Sequence, residues 1–256
     1  MVGGLNVFRD WFAGFTDCYT LIGGAACDLW MEDFGLEFRR TTDLDIVLVF
    51  DGLRPDFVER LWQFIKNGAY DGYRSGEKPD NYYRFSNPTT NGYPRKLEIS
   101  TKHPLTVPGD VKKMRLFTGK NVSSLSAILL DTYYFDLVKN CTRMIHRVPI
   151  ASGFCLIPLK AKAWLNLTTL KASGEHVDRN NILKHRNDVF RLLLTITLED
   201  QFPIHVAIRK DLRDFIAGLP EDSPEWISIK ASLQSNNLKL PSPEETIKQF
   251  SEVYGL

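Results

Sequence analysis

The segment DLDIVLVF, from Asp43 to Phe50, constrains this chain more than any other stretch. It joins a pair of carboxylates to a continuous β-favouring run, Ile46 to Phe50, the pattern of a central strand buried on both faces. Side chains two apart in a strand share a face, so Asp43 and Asp45 stand side by side. Bare carboxylates at that spacing repel and resist joint ionisation unless positive charge sits between them. Magnesium meets that need, because it is a hard cation that commonly takes one or two carboxylates together with substrate phosphates. Glu98, in KLEIST, occupies a strand of its own and is the candidate third acid of a two-metal site. The bland reading of each is a solvated acid at a strand end.

A second feature lies upstream. Tyr19 to Ile22 reads as a short strand ending in Gly23-Gly24, and Ala25 to Phe34 as a helix. Backbone N–H groups at such a junction approach a phosphate closely, since no side chain intervenes and the helix N-terminus favours negative charge. Strand, Gly-Gly, helix, DxD strand and third acid together describe a phosphate cradle followed by a metal site.

The remaining pattern is α+β. Helices are expected over Asn6 to Phe15 and Pro55 to Lys66, a loop over 68–80, and strands at Tyr82 to Phe85 and Lys96 to Thr101 around a long hairpin loop. Met114 to Phe117 reads as one more short strand. Beyond it the chain turns mainly helical: Ser124 to Asn140, Ile157 to Leu170, Asp178 to Thr197, Pro203 to Leu219 and a short helix after Pro241, with a short strand within Val148 to Cys155. The shift near 105–123 divides the chain into a catalytic domain, 1–115, and a helical domain that completes the site, 116–256.

Composition excludes some classes. With 43% hydrophobic and 25% charged residues the chain can build a real core, and a net charge of +1 confines any nucleic-acid binding to a local patch. Cys18, Cys27, Cys141 and Cys155 form no CxxC pair and read as reduced, buried thiols of a cytoplasmic protein. The N-terminus lacks the apolar core of a secretion signal, and no apolar run is long enough to span a membrane.

The Gly-Gly pair, the DLD triplet and the later acid together resemble the nucleotidyltransferase superfamily, the polymerase-β-like fold. That resemblance implies a mixed β-sheet with flanking helices, Gly23 and Gly24 at the nucleotide phosphates, and Asp43, Asp45 and Glu98 around two magnesium ions, with an NTP as substrate. The family often places Ser after the glycine; this chain has Ala25. IPLKAKAWLNL (Ile157 to Leu167) and NNILKHRNDVFRLL (Asn180 to Leu193) further resemble the helical segments of AbiEii-type nucleotidyltransferases, the toxin halves of bacterial and phage-defence toxin–antitoxin pairs. By that likeness Lys160 or Lys162 matches one family lysine, and Lys184 with Asp188 a later motif. It implies transfer to an acceptor such as the 3′ end of tRNA, and a separate antitoxin chain as partner. The resemblance covers roughly residues 18 to 195.

The residues support these roles on their own terms. Lys184 and Asp188 are four apart and share a helix face. Lys160 and Lys162 point to nearly opposite sides of theirs, so one of them faces the site. A lysine beside the nucleotide would neutralise triphosphate and leaving-group charge, and Asp188 would hold that lysine or accept a proton. Lys160, Lys162, Lys171, Arg179, Lys184, Arg186 and Arg191 form a basic stretch suited to RNA phosphates or to a solvated face. His176, His185 and His205 read as polar-face residues, Trp62, Trp164 and Trp226 as core, and Tyr82 and Tyr83 as candidates to stack on a base. The rival readings are an antibiotic-type nucleotidyltransferase acting on a small molecule, and a degenerate fold kept for binding.

Overall fold

A computed structural model describes residues 2–49, 54–74, 82–102, 105, 125, 128–129 and 131–256. The strand expected at Met114 to Phe117, and most of the boundary expected near 105–123, lie outside the described residues.

The N-terminal half supplies α1 (Leu5–Trp11), β1 (Tyr19–Ile22), α2 (Gly23–Asp33), β2 (Asp43–Leu48), α3 (Pro55–Gly68), β3 (Asp71–Arg74), β4 (Tyr82–Ser86) and β5 (Lys96–Thr101). Then come α4 (Thr132–Asn140), β6 (Thr142–Ile145), β7 (Val148–Ala151), α5 (Gly153–Ala172), α6 (Arg179–Leu193), α7 (Val206–Ala217), α8 (Glu225–Gln234) and α9 (Pro243–Tyr254). The strands form one mixed sheet in the order β3-β4-β5-β2-β1-β7-β6. Strand β2 runs antiparallel to β1 and parallel to β5, while β1 is parallel to β7. The architecture is α+β: a mixed sheet flanked by helices, followed by a mainly helical C-terminal part. Because β6 and β7 join β1 in that sheet, strands come from both sides of residue 116, and one continuous core runs through both parts.

Local chemistry explains most elements. Pro55 opens α3 at the position where its missing N–H costs nothing, and Phe57, Leu61, Phe64 and Ile65 form its buried stripe. The rings of Phe57 and Phe64 meet Phe12 and Phe8, which pack in turn on Tyr19: Phe12 lies 5.7 Å from Phe57, and Phe8 lies 5.6 Å from Phe64, edge-on. Such pairs add about 0.5–1.5 kcal/mol each beyond area burial. Trp62 packs edge-on against Tyr83 and Phe85 of β4, whose strand partners are Ile99 and Leu97. Helix α3 therefore covers the apolar face of the sheet, and residues of opposite parity, among them Asp43, Asp45 and Glu98, point to the other face.

Several boundaries move. Strand β2 begins at Asp43, so the aspartates lie inside the paired strand. Residues 71–74, expected in a loop, pair with β4 as an edge strand despite their Gly and Asp content. Helix α5 starts at Gly153, ahead of the expected Ile157, because β7 ends at Ala151 and every residue from 153 to 161 is buried. Strand β6 and helix α8 were not expected from sequence.

Candidate active site

Register places the acids. In the parallel pair β2/β5, Asp43 sits opposite Lys96 and Asp45 opposite Glu98. In the antiparallel pair β4/β5, Arg84 sits opposite Glu98. In β1/β2, Ile22, the last strand residue before the Gly-Gly pair, sits opposite Asp45. Arg84, Glu98, Asp45 and Ile22 thus form one row across the sheet, with Lys96 and Asp43 in the neighbouring row.

Glu98 is buried, and its Oε1 receives Arg84 Nε at 3.0 Å, Arg84 Nη2 at 2.9 Å and Lys96 Nζ at 2.9 Å. The same Lys96 ammonium reaches Asp43 Oδ2 at 2.8 Å. Asp45 makes no ion pair among the described residues. Burial, then the Glu98 carboxylate beside it, push the Asp45 carboxyl well above the usual carboxylate range. Among the described residues, no three His, Cys, Asp or Glu side chains converge tightly enough to hold a metal by themselves.

Gly23 and Gly24 open α2 directly from β1. Gly23 has φ +69°, in the left-handed region, and a Cβ there would strike Oδ2 of Asp45 and come within 2.6 Å of its Cγ. At Gly24 a Cβ would come within 3.0 Å of Thr41 Cβ, just ahead of the DLD triplet. The glycine junction and the second aspartate are therefore in contact.

The helical part closes the site with cations. Asp188 on α6 is fully buried and takes a bidentate pair from Arg39, Nε to Oδ1 at 2.9 Å and Nη2 to Oδ2 at 2.7 Å. Lys160 Nζ on α5 lies 3.2 Å from Oδ2, and Arg191 Nη1 donates to Oδ1 at 3.1 Å. Burial alone would raise the Asp188 pKa, but Lys160, Arg39 and Arg191 outweigh it and hold the carboxyl well below its usual range. Lys184 makes no ion pair among the described residues. Burial, then repulsion from Lys160 and Arg39, lower its pKa, against the pull of Asp188 and Asp45. Lys160 also acts electrostatically on Asp45, so glycines, aspartate and lysines share one region.

Other expectations resolve differently. Lys160, nearly inaccessible, is the lysine that faces Asp188; Lys162 turns away to Asp211 at 2.7 Å. The seven-cation stretch is not one basic surface. Lys160, Arg186 and Arg191 are buried, Arg186 paired with Glu225 and bonded to Ser228 at 2.8 Å, and Arg191 bonded to Ser232 Oγ at 2.7 Å. Lys171 and Arg179 remain exposed, and Lys184 partly so. The reason is periodicity: α6 presents cations both to solvent and to the packed α8.

His185 is buried beside Lys160 and Asp188 and does not lie on a polar face. His205 caps α7, accepting from Ala207 N at 3.2 Å, and His176 is exposed. Trp62 and Trp226 are buried and Trp164 packs on Phe215, as expected of core residues. Tyr83 is buried, its hydroxyl accepting from Leu105 N at 2.9 Å, which removes it as a base-stacking platform; the Tyr82 side chain lies outside the described residues. Asp131 and Asp178 cap α4 and α6.

Sequence reasoning missed Arg39, Arg84 and Lys96. Lys96 had a readable signal, two residues before Glu98 in the same strand and hence on its face. Arg39 had none, because its partner Asp188 lies far along the chain.

All four cysteines are free and buried. Among the described residues, no helix is long and apolar enough to cross a membrane.

No protein family matches this chain, and no curated protein does. Among solved structures it is similar to an antigenic nucleotidyltransferase-like protein from Paracoccidioides brasiliensis, at 17% identity over 89% of this chain and 93% of that chain, with a TM-score of 0.45.

Proposed function

We propose that this chain is a nucleotidyltransferase, passing a nucleoside monophosphate from an NTP to an acceptor hydroxyl. The observation that carries the reading is the contact of Gly23 with Asp45, on which Lys160 and Lys184 act from two other helices. A side-chain-free backbone, and a carboxylate and a lysine that make no ion pair among the described residues, in one region suit a triphosphate and its counterion better than they suit any structural task.

The roles follow from position. The N–H groups at the start of α2 take the phosphates, with no side chain on Gly23 or Gly24 and with the Asp45 carboxylate beside Gly23 to share a bridging cation. Lys184, which has no carboxylate partner among the described residues, neutralises triphosphate charge and the charge that builds on departing pyrophosphate. The acceptor oxygen attacks the α-phosphorus as the bond to the leaving pyrophosphate breaks in line with it, and the hydroxyl proton passes to solvent. Asp188, saturated by three cations, is a positioning residue that fixes Lys160 and Arg39. It is poorly suited to take a proton. Asp43 and Asp45 fit a magnesium ion, since two carboxylate oxygens and nucleotide phosphates form the oxygen set it takes. When bound there, that ion would polarise the phosphate and stabilise the charge on it.

The finer reading follows the AbiEii-type resemblance: a toxin acting on the 3′ end of tRNA, held by a separate antitoxin. The enclosure of Lys160, Arg186 and Arg191 leaves fewer cations for RNA and favours a small-molecule acceptor as the second reading. Purified protein incubated with magnesium, each α-labelled NTP, and either total RNA or a panel of hydroxylated antibiotics tests both. Label on tRNA-sized RNA that vanishes in Asp45→Asn supports the first reading, and label on an antibiotic supports the second. Absence of bound nucleotide would leave the degenerate-fold alternative standing.

A further inference from the structure

We infer that Lys96 takes the place of a second metal ion, so that the site holds one divalent cation per bound nucleotide. The inference rests on the nucleotidyl-transfer reading above. A third acid would ordinarily serve such a site by sharing a second ion with the DxD pair. Here the space between Glu98 and Asp43 holds an ammonium: Lys96 Nζ lies 2.9 Å from Glu98 Oε1 and 2.8 Å from Asp43 Oδ2. Arg84 adds a guanidinium to the same Glu98 oxygen at 2.9 Å.

Charge argues the same way. Among the described residues, Asp43 and Glu98 contribute two negative charges here and Lys96 and Arg84 two positive ones, so the charges that meet at Glu98 and Asp43 balance. A divalent ion entering it would face an ammonium at contact distance and compete for oxygens already in use. Asp45 differs, since no cation pairs with it among the described residues. One ion held by Asp45 and the phosphates, sharing the Asp43 oxygen that accepts only a neutral hydroxyl, from Thr42, is compatible with this arrangement; a second between Asp43 and Glu98 is not.

Fixed geometry holds Lys96 there. It lies on the same face of β5 as Glu98, two residues away, and opposite Asp43 in register, so its reach to both carboxylates is set by the sheet. The guanidinium of Arg84, from the other neighbouring strand, pins the shared partner.

The test counts ions and does not depend on turnover. Equilibrium dialysis with Mn2+ and a non-hydrolysable α,β-methylene NTP gives the number of ions per chain, with free Mn2+ read by electron paramagnetic resonance. One ion is expected for the wild type and for Lys96→Arg, and two for Lys96→Met. Two ions in the wild type would overturn the inference while leaving nucleotidyl transfer intact. One ion in a folded Lys96→Met would overturn it as well, since Lys96 would then not be what excludes the second. If Lys96→Met fails to fold, Lys96→Gln and the wild-type count still decide. No ion and no nucleotide bound to the wild type would overturn the underlying nucleotidyl-transfer reading.

Discussion

The Asp45 carboxylate occupies the space where any side chain on residue 23 would have to go. A Cβ on Gly23 would meet Oδ2 and lie 2.6 Å from Cγ, and the backbone there has φ +69°. Gly23→Ala therefore combines a conformational cost of about 1 kcal/mol or more with displacement of the one carboxylate that lacks a resident cation. The expected result is a folded protein with a modestly lowered urea midpoint and no detectable binding of a labelled NTP. Unchanged nucleotide affinity in Gly23→Ala would mean that phosphates are held elsewhere.

Asp188 is the electrostatic keystone between the sheet-side Arg39 and the helices. Removing its charge leaves Arg39, Lys160 and Arg191 facing one another without an anion. Breaking a buried arrangement of this kind typically costs about 3–5 kcal/mol, so Asp188→Asn should show a large loss by urea denaturation. Asp211→Asn is the comparison: Asp211 has one cation, the partly exposed Lys162, and accepts from the Tyr134 hydroxyl, a bond that asparagine can keep, so the expected cost is smaller, about 1–2 kcal/mol. Equal losses would show that the burial of Asp188 carries no special weight.

How legible this was depends on range. Strands β1 and β5 coincide with the expected segments, and the shared face of Asp43 and Asp45 follows from the two-residue period, whereas Glu98 joins that face only through the register of β5 with β2. What sequence left open was set by contacts between distant segments. The choice between Lys160 and Lys162 turns on which side of α5 meets α6, and α5 carries no polar stripe over 153–161 to reveal it. The basic stretch looked continuous because charge is visible in sequence, whereas Glu225, Ser228 and Ser232, which enclose Arg186 and Arg191, lie on a helix that had not been read. Strand β3 was hidden because DGYR has turn composition and becomes a strand only through its pairing with β4.

The two lysines of α5 should separate cleanly. Lys160 is enclosed, touches Asp188 and acts on Asp45, so Lys160→Met should lower turnover by about a hundredfold, the scale for losing a preorganised charge. Lys162 pairs with Asp211 on the other side of the helix, and Lys162→Ala should keep turnover within about twofold, as expected for a partly exposed pair remote from the chemistry. Pyrophosphate release with saturating NTP measures both. A larger effect from Lys162→Ala would reverse the assignment of the two faces.

Acid should destabilise the protein in two stages. His185 is buried among Lys160, Lys184, Arg39 and Asp188, and burial, then Lys160, hold its pKa well below the ordinary 6.5. The folded state keeps the imidazole neutral while the unfolded chain takes up a proton, so the unfolded state binds more protons once the pH falls below that value. Stability therefore declines with falling pH from 6.5 downward, by up to about 1.4 kcal/mol per pH unit for one proton. Asp188 acts later. Its folded pKa is depressed below the ordinary 3.8, so its contribution is full above that value and is lost as pH falls toward the folded one. Below pH 7 the raised Asp45 carboxyl takes up a proton in the folded state and works the other way, so the His185 contribution is read as a difference: from about pH 7.5 down to about pH 5 the urea midpoint of the wild type should fall relative to that of His185→Gln. Parallel midpoints for the two proteins over that interval would show that His185 accepts its proton without cost in the folded state.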